Sequence, residues 1–286
     1  MQTILVTGSN GQLGSELQHL VADFDEEGYR FIFTDVAELD ITDRQAVSCF
    51  VEDNNVSILI NCAAYTAVDK AEHDPERADL LNRVAPGYLA EAMEAVGGTM
   101  IQISTDYVFD GMGHMPYRED APTHPTGVYG RTKLAGEEEV ICGCTGSMVI
   151  RTAWLYSTFG NNFVKTMLRL GRERENLSVV FDQIGTPTYA RDLAKVILTI
   201  VRAGIKPGVF HYTNEGVCSW YDFARAVHRF AGLNSCDVRP VHTGEYPAEA
   251  PRPHYSVLDK TKIKEAYTIQ IPWWEDSLKE CVEALK

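Results

Sequence analysis

Short apolar runs alternate with longer stretches in which apolar residues recur every three or four positions. Thr3–Val6 reads as a buried strand, and Gln12–Asp23 as a helix carrying Leu13, Leu17 and Leu20 on one side. Phe31–Asp35 predicts a second strand, Arg44–Glu52 a helix and Ile58–Asn61 a third strand. Pro75–Val96, with Leu80, Leu81, Val84, Leu89, Met93 and Val96, predicts one long helix, for which Asp74 is the N-cap and Pro75 the first-turn proline. Met100–Ser104 is a fourth strand, Val128–Ile141 a helix and Met148–Thr152 a fifth strand. This alternation implies right-handed crossovers and a Rossmann-like, doubly wound parallel α/β sheet.

Beyond Leu155 the rhythm weakens and proline and glycine punctuate the chain, at Gly185-Thr186-Pro187, Lys206-Pro207-Gly208 and from Pro240 to Pro253. Ala190–Arg202 and Trp220–Ala231 predict helices, and Gly208–Tyr212 a strand. The expected division is a dinucleotide-binding domain over 1–155 and a smaller C-terminal substrate-binding lobe over 156–286, with segments near 185–212 free to return to the sheet.

The glycines of Gly8-x-x-Gly11-x-x-Gly14 follow the first strand and open the first helix. In that context they permit a tight turn and let backbone N–H groups approach a pyrophosphate at the helix N-terminus. The competing reading, a glycine-rich turn without a ligand, is weakened by Asp35. A carboxylate at the end of the second strand accepts hydrogen bonds from ribose hydroxyls and repels a 2′-phosphate. This tilts the choice of cofactor toward NADH over NADPH, with Arg30 and Arg44 available to offset the repulsion. Asp40 and Ile41 are candidates for the adenine or, equally, part of a solvated loop, and Ala64, Tyr65 and Thr66 end the third strand in mostly small residues beside the cofactor. Asn82 is either a hydrogen-bonded core amide or part of the site.

Tyr129 and Lys133 lie one helical turn apart on one face. An ammonium beside a phenol favours phenolate, so the Tyr129 pKa is expected to fall from about 10 toward the working pH, suiting proton transfer at a carbonyl or alcohol oxygen. A lone Tyr-x-x-x-Lys is more often a surface pair. Here Ser104-Thr105-Asp106 at the end of the fourth strand supplies hydroxyls for the same oxygen.

The net charge of -14 disfavours nucleic acid and anionic membranes as partners. Hydrophobic residues make up 45% and charged residues 23%, with no run of membrane-spanning length and no signal-peptide pattern at the N-terminus. Seven scattered cysteines without metal or redox spacing point to reduced thiols in the cytoplasm.

With these residues in place, the chain resembles the extended short-chain dehydrogenase/reductases, and more closely the dTDP-4-dehydrorhamnose reductases. The resemblance rests on Ala64–Glu72, Ser104–Gly111, Val128–Glu137, Arg151–Trp154, Gly160–Phe163 and Asp182–Thr188. It implies NAD(P)H-dependent reduction of a dTDP-sugar 4-ketone, with Thr105, Tyr129 and Lys133 as the catalytic set. It also implies that Gly8, Gly11, Gln12, Leu13, Gly14, Asp35, Asp40, Ile41, Ala64, Tyr65 and Thr66, with Tyr129 and Lys133, hold the dinucleotide. Thr105, Asp106, Trp154 and Arg252 would hold the substrate, Arg252 through its diphosphate. The chain departs from the family at His254-Tyr255, where Gly-Asn is common. It departs again at Arg191, which stands where some members carry an acid that joins Glu16 in binding Mg²⁺, so no metal is expected. A homodimer is compatible with the family. A regulatory dinucleotide-binding subunit, like the methionine adenosyltransferase beta subunit, is the alternative from another class, and a reductase of a related nucleotide deoxy-sugar is a third reading.

Overall fold

The computed structural model describes residues 1–21 and 28–286. From the N-terminus run β1 (Gln2–Thr7), α1 (Gln12–Val21), β2 (Tyr29–Thr34), α2 (Arg44–Asp53) and β3 (Val56–Asn61). The last positions of the helix expected over Gln12–Asp23 lie outside the described residues. There follow α3 (Val68–His73), α4 (Pro75–Asp79), a wide helical turn over Leu80–Val84, α5 (Ala85–Ala95), β4 (Thr99–Thr105), α6 (Val128–Gly143) and β5 (Ser147–Thr152). The helix expected over Pro75–Val96 is therefore continuous but carries one π-helical turn. The Asp74 side chain accepts from the Arg77 N–H at 3.3 Å, so Asp74 caps its start.

The second half adds β6 (Leu155–Tyr156), α7 (Phe163–Glu173), β7 (Asn176–Val180), β8 (Ile184–Gly185) and β9 (Thr188–Tyr189). Then come α8 (Ala190–Ala203), β10 (Gly208–His211), β11 (Cys218–Ser219), α9 (Trp220–Ala231), β12 (Asp237–Val241), α10 (Thr261–Tyr267) and α11 (Trp274–Ala284). Asn162 caps α7, and Ser219 with Asp222 forms a reciprocal capping box on α9, which stops at Gly232 in the left-handed conformation.

Six strands form one parallel sheet in the order β10-β5-β4-β3-β1-β2. Strand residues alternate between two cores, which explains why they are apolar at nearly every position. Ile4, Val6, Ile58, Ile60, Met148 and Ile150 join the cluster containing the α8 residues Leu193 and Ile197. Leu5, Leu59, Met100 and Val149 face Val47, Leu89 and Val140 of α2, α5 and α6. Each fully buried aliphatic side chain contributes roughly 1.5–3 kcal/mol. A third core, built mainly from α7, α9, α11, β7 and β12, packs around Phe223 and Trp274. α8 and β10, which lie within the segments near 185–212, pack with the six-stranded sheet.

The chain reverses its course across the sheet between β1 and β3, and this switch point opens a crevice at the carboxyl ends of those strands. The two strands approach so closely there that a Cβ at Gly8 would meet the Ala63 nitrogen at 2.6 Å, and Gly8 itself has φ +65°. Only glycine suits that position. Among the described residues no helix is long and apolar enough to cross a membrane.

Candidate active site

The crevice consists of two adjoining cavities that share Gly11, Cys62 and Ala64. The first, of about 530 Å³, lies over the β1, β2 and β3 ends and is lined by Gly8, Asp35, Asp40, Ile41, Arg77 and Leu80, among others. The second, of about 580 Å³, runs from Gln12 and Leu13 past Thr66, Ser104, Thr105, Asp106, Tyr129 and Lys133 to Trp154 and Trp220. The start of α1 opens onto both, so its glycine turn and free N–H groups suit the pyrophosphate of a dinucleotide stretched between them.

At the first cavity Asp35 is fixed rather than free. Its carboxylate accepts from the Asn10 N–H at 3.1 Å and the Val36 N–H at 2.8 Å. Asp40 accepts from the Thr42 hydroxyl at 2.7 Å and the Thr42 N–H at 2.9 Å, which hold its carboxyl below the usual range. Arg30 and Arg44 do not reach this cavity. Arg30 sits at the amino end of β2, and Arg44 pairs with Glu91 at 2.9 Å beside the Tyr88 ring.

A polar ladder crosses the strand ends beneath the crevice. The Thr7 hydroxyl donates to Asn61 at 2.7 Å, and the Asn61 amide donates to Gln102 at 2.8 Å. The π-helical turn aims Asn82 inward, where its carbonyl accepts from the Tyr65 N–H at 2.9 Å and its amide donates to the Tyr65 carbonyl at 3.1 Å. The same amide donates to the Thr132 hydroxyl at 3.1 Å. Asn82 thus ties the segment after β3 to α6. The close approach requires Gly136, where a Cβ would meet the Asn82 backbone carbonyl oxygen at 1.9 Å. A π turn beside a site is a common device for such aiming.

At the second cavity Thr105, Asp106, Tyr129 and Lys133 come together. The Thr105 hydroxyl donates to Asp106 at 2.9 Å. Burial pushes the Asp106 carboxyl up to about 6, outweighing the lowering by the neighbouring Ser256 and Thr105 hydroxyls. Lys133, 3% exposed, donates to the Ile103 carbonyl at 2.6 Å, and burial lowers its pKa to about 8. Tyr129 runs against the expectation from the sequence. The residue is half-buried with its phenol lining the cleft, and desolvation there raises its pKa well above the ordinary value despite a hydrogen bond with Thr105. Asp106 and Tyr107 add to the rise, and Lys133 turns toward the Ile103 carbonyl instead of offsetting it. Tyr129 is therefore a protonated phenol in the ligand-free chain.

Behind Lys133, one turn along α6, Glu137 accepts from the Ser104 hydroxyl and from Arg151 at 2.7 Å, both partners being buried. Trp154 holds φ +49° and stacks on Trp220 with ring centroids 3.6 Å apart. That strained backbone persists because Gly185 leaves room for the indole: a Cβ there would meet it at 2.7 Å.

Other expected residues fall elsewhere. Gly14 packs against Ser9, where a Cβ would meet the Ser9 Cα at 2.5 Å, and it lines neither cavity. Tyr65 contributes backbone to Asn82 and does not line either cavity. Gln12 lines the second cavity while accepting from the Asn162 amide at 3.1 Å, a bond that links the two halves of the chain. Arg252 lines neither cavity. Its guanidinium donates to Asp69 at 2.6 Å and to the Tyr107 hydroxyl at 3.1 Å, so the diphosphate role expected for it has a competitor. Cys62, Arg77, Leu81 and Trp220 line the crevice without having been singled out from the sequence. Only Arg77 and Leu81, three and four residues apart from Leu80 and Arg77 respectively, carry a helical spacing that marks a shared face.

The profile of the RmlD substrate binding domain family matches residues 1–286. The chain is 42% identical over 286 residues to the dTDP-4-dehydrorhamnose reductase of Mycolicibacterium smegmatis, covering 99% of this chain and 86% of that protein. A crystal structure of a dTDP-4-dehydrorhamnose reductase from Clostridium acetobutylicum superposes with a TM-score of 0.94 at 44% identity, covering 99% of each chain. The structure of the enzyme from Bacillus anthracis in complex with NADP gives a TM-score of 0.93 at 39% identity, covering 99% of this chain and 100% of that one.

Proposed function

The chain belongs to the RmlD substrate binding domain family, and on that premise we propose that it is an NAD(P)H-dependent reductase. Its reaction is reduction of the 4-keto group of dTDP-4-dehydro-β-L-rhamnose to give dTDP-L-rhamnose. The observation that carries this reading is the meeting of Thr105, Tyr129 and Lys133 in one cavity that continues into the glycine turn of α1. The reductase names of its relatives favour it over a non-catalytic regulatory subunit.

The α1 turn and the small residues after β3 would hold a dinucleotide, whose reduced nicotinamide would supply a hydride to the ketone carbon when bound. The chain's own contribution is position and a proton. Thr105 and Tyr129 take the carbonyl oxygen between their hydroxyls, which strengthens as negative charge grows on that oxygen. Tyr129 then gives its proton to the oxygen, completing the alcohol. Its high ligand-free pKa keeps the phenol loaded across the neutral range. Lys133, one helical turn along α6 and lining the same cavity, is the cation assigned to stabilise the phenolate left behind. Trp154 and Trp220 wall the far end, where the sugar would rest against their faces. We assign the reaction to the cytoplasm, a reading supported by seven free cysteines.

The test is oxidation of NADH and of NADPH by the purified protein with the 4-keto-rhamnose nucleotide, with the product sugar identified. Formation of dTDP-L-rhamnose is expected. A protein that binds dinucleotide and reduces no keto-sugar would restore the regulatory-subunit reading, and turnover of only another keto-sugar would redirect the assignment.

A further inference from the structure

We propose that Arg77 is the cation that admits a 2′-phosphate, so that the choice between NADPH and NADH is decided between Arg77 and Asp35. This inference rests on the dinucleotide-binding part of the reading above and not on the sugar.

Arg77 lines the first cavity and not the second. The first cavity holds Asp35, Val36, Asp40 and Ile41 and lies beyond the glycine turn, so it would receive the adenosine end of a dinucleotide. The pyrophosphate and the nicotinamide fall on the other side of Gly11. NADH and NADPH differ only at the 2′ position of that adenosine, so a cation confined to this cavity bears on the difference between them.

The spacing of Arg77, Leu80 and Leu81 places them on one face of the helical run from Pro75, and all three line the cavity. The two leucines offer an apolar surface suited to a flat base, and the guanidinium stands one turn before them. Arg77 is exposed and has no ion-pair partner among the described residues, its backbone N–H alone being used by Asp74. That distinguishes it from the other arginines near the crevice, since Arg44 is held by Glu91, Arg83 by Asp79 and Glu139, and Arg252 by Asp69.

The opposing field comes from the loop that follows β2. Asp35 is clamped by two backbone N–H groups, and Glu38 lies alongside, its carboxylate accepting from the Asp35 N–H at 2.9 Å. Neither acid can turn away without losing those bonds. Without a nearby cation, a phosphate dianion beside them would be excluded. A guanidinium can offer such a phosphate paired, charge-assisted hydrogen bonds, whereas it offers a ribose hydroxyl far less.

The experiment is direct titration of the purified full-length wild type, Arg77→Ala and Arg77→Glu with NADPH and with NADH, followed by nucleotide fluorescence. Arg77→Ala should weaken NADPH about 10-fold, the loss of one charge-assisted contact, while NADH stays within about 2-fold. Arg77→Glu should widen that gap. Equal losses for both dinucleotides would overturn the proposal by placing Arg77 on a group they share, and no loss for either would overturn it outright. Because the readout is binding, a protein that discriminates as expected but turns over no keto-sugar would sink the reductase reading alone. Failure of the wild type to bind either dinucleotide would overturn both.

Discussion

At the reacting end of the crevice Thr105, Asp106 and Lys133 are only 5%, 2% and 3% exposed, whereas at the adenosine end Asp40 and Arg77 stand in solvent and Asp35 is half-buried. The acids and bases at the two ends answer to different physics. Near water, a charge pair at contact distance is worth about 1 kcal/mol and is screened by salt. In the buried end desolvation outweighs the pairing, which is why Lys133 falls, Asp106 rises and Tyr129 rises although all three lie within one cluster. The reacting end is thus tuned by exclusion of water, and the adenosine end by a balance of exposed charges.

If that contrast holds, perturbing the reacting end has large effects. Tyr129→Phe deletes the proton donor and should lower turnover by about 10²–10⁴-fold, with NADH affinity close to wild type. Near-wild-type turnover would remove Tyr129 from the mechanism. Arg151→Met leaves Glu137 buried without its guanidinium and should cost about 3–5 kcal/mol in urea denaturation. The double replacement Arg151→Met/Glu137→Leu should cost less than the single one, because the buried pair is removed as a unit and Lys133, which loses the Glu137 charge, can shed its proton. A double variant less stable than Arg151→Met would contradict burial as the governing term.

Asp106 gives the contrast a pH signature. Its folded pKa is raised from 3.8 to about 6, so its contribution to stability is fully present below the unfolded value and is lost as pH rises through about 6. The loss amounts to about 3 kcal/mol by pH 8. Asp106→Asn escapes it, so thermal melts should show the variant gaining on wild type from pH 4 to pH 8. A constant difference across that range would mean that Asp106 titrates normally.

Much of this arrangement is legible in the sequence, and the parts that are not share a cause. The parallel sheet follows from runs such as Thr3–Val6 and Ile58–Asn61, whose continuous apolarity only a sheet covered on both faces can bury. The glycine turn, Thr105, Tyr129 and Lys133 follow because each occupies a strand end or a helix face that local periodicity fixes. The helices Val68–His73 and Thr261–Tyr267 span about two turns or fewer and show little periodicity. Phe163–Glu173 and Trp274–Ala284 follow irregular segments, and the apolar face of the former (Val164, Met167, Leu168) is legible in the sequence without having been singled out. The π turn at Leu80–Val84 is invisible to periodicity because it inserts one residue into an otherwise helical pattern. The Tyr129 pKa fails for a different reason. Spacing places Lys133 beside Tyr129 but says nothing of depth, and depth decides the sign. Arg252 and Arg77 exchange prominence on similar grounds, since only the folded chain shows that Asp69 occupies one guanidinium and that the other opens on the cavity.

The smallest effect belongs to the exposed end. Asp35→Ala should shift the ratio of NADPH to NADH affinity toward NADPH by less than about 10-fold, and added salt should shrink the shift. A shift that grows with salt would show that Asp35 acts through the fold of the β2 end and not through its charge.

Burial of Tyr129 is tested most directly by titrating the ligand-free protein with carbon-13-labelled tyrosine, the Tyr129 ring signal being identified by its absence in Tyr129→Phe. The signal should remain that of a protonated phenol beyond about pH 10, the ordinary tyrosine value. A phenolate forming between about pH 7 and 9 would contradict the account, returning control of Tyr129 to the Lys133 charge.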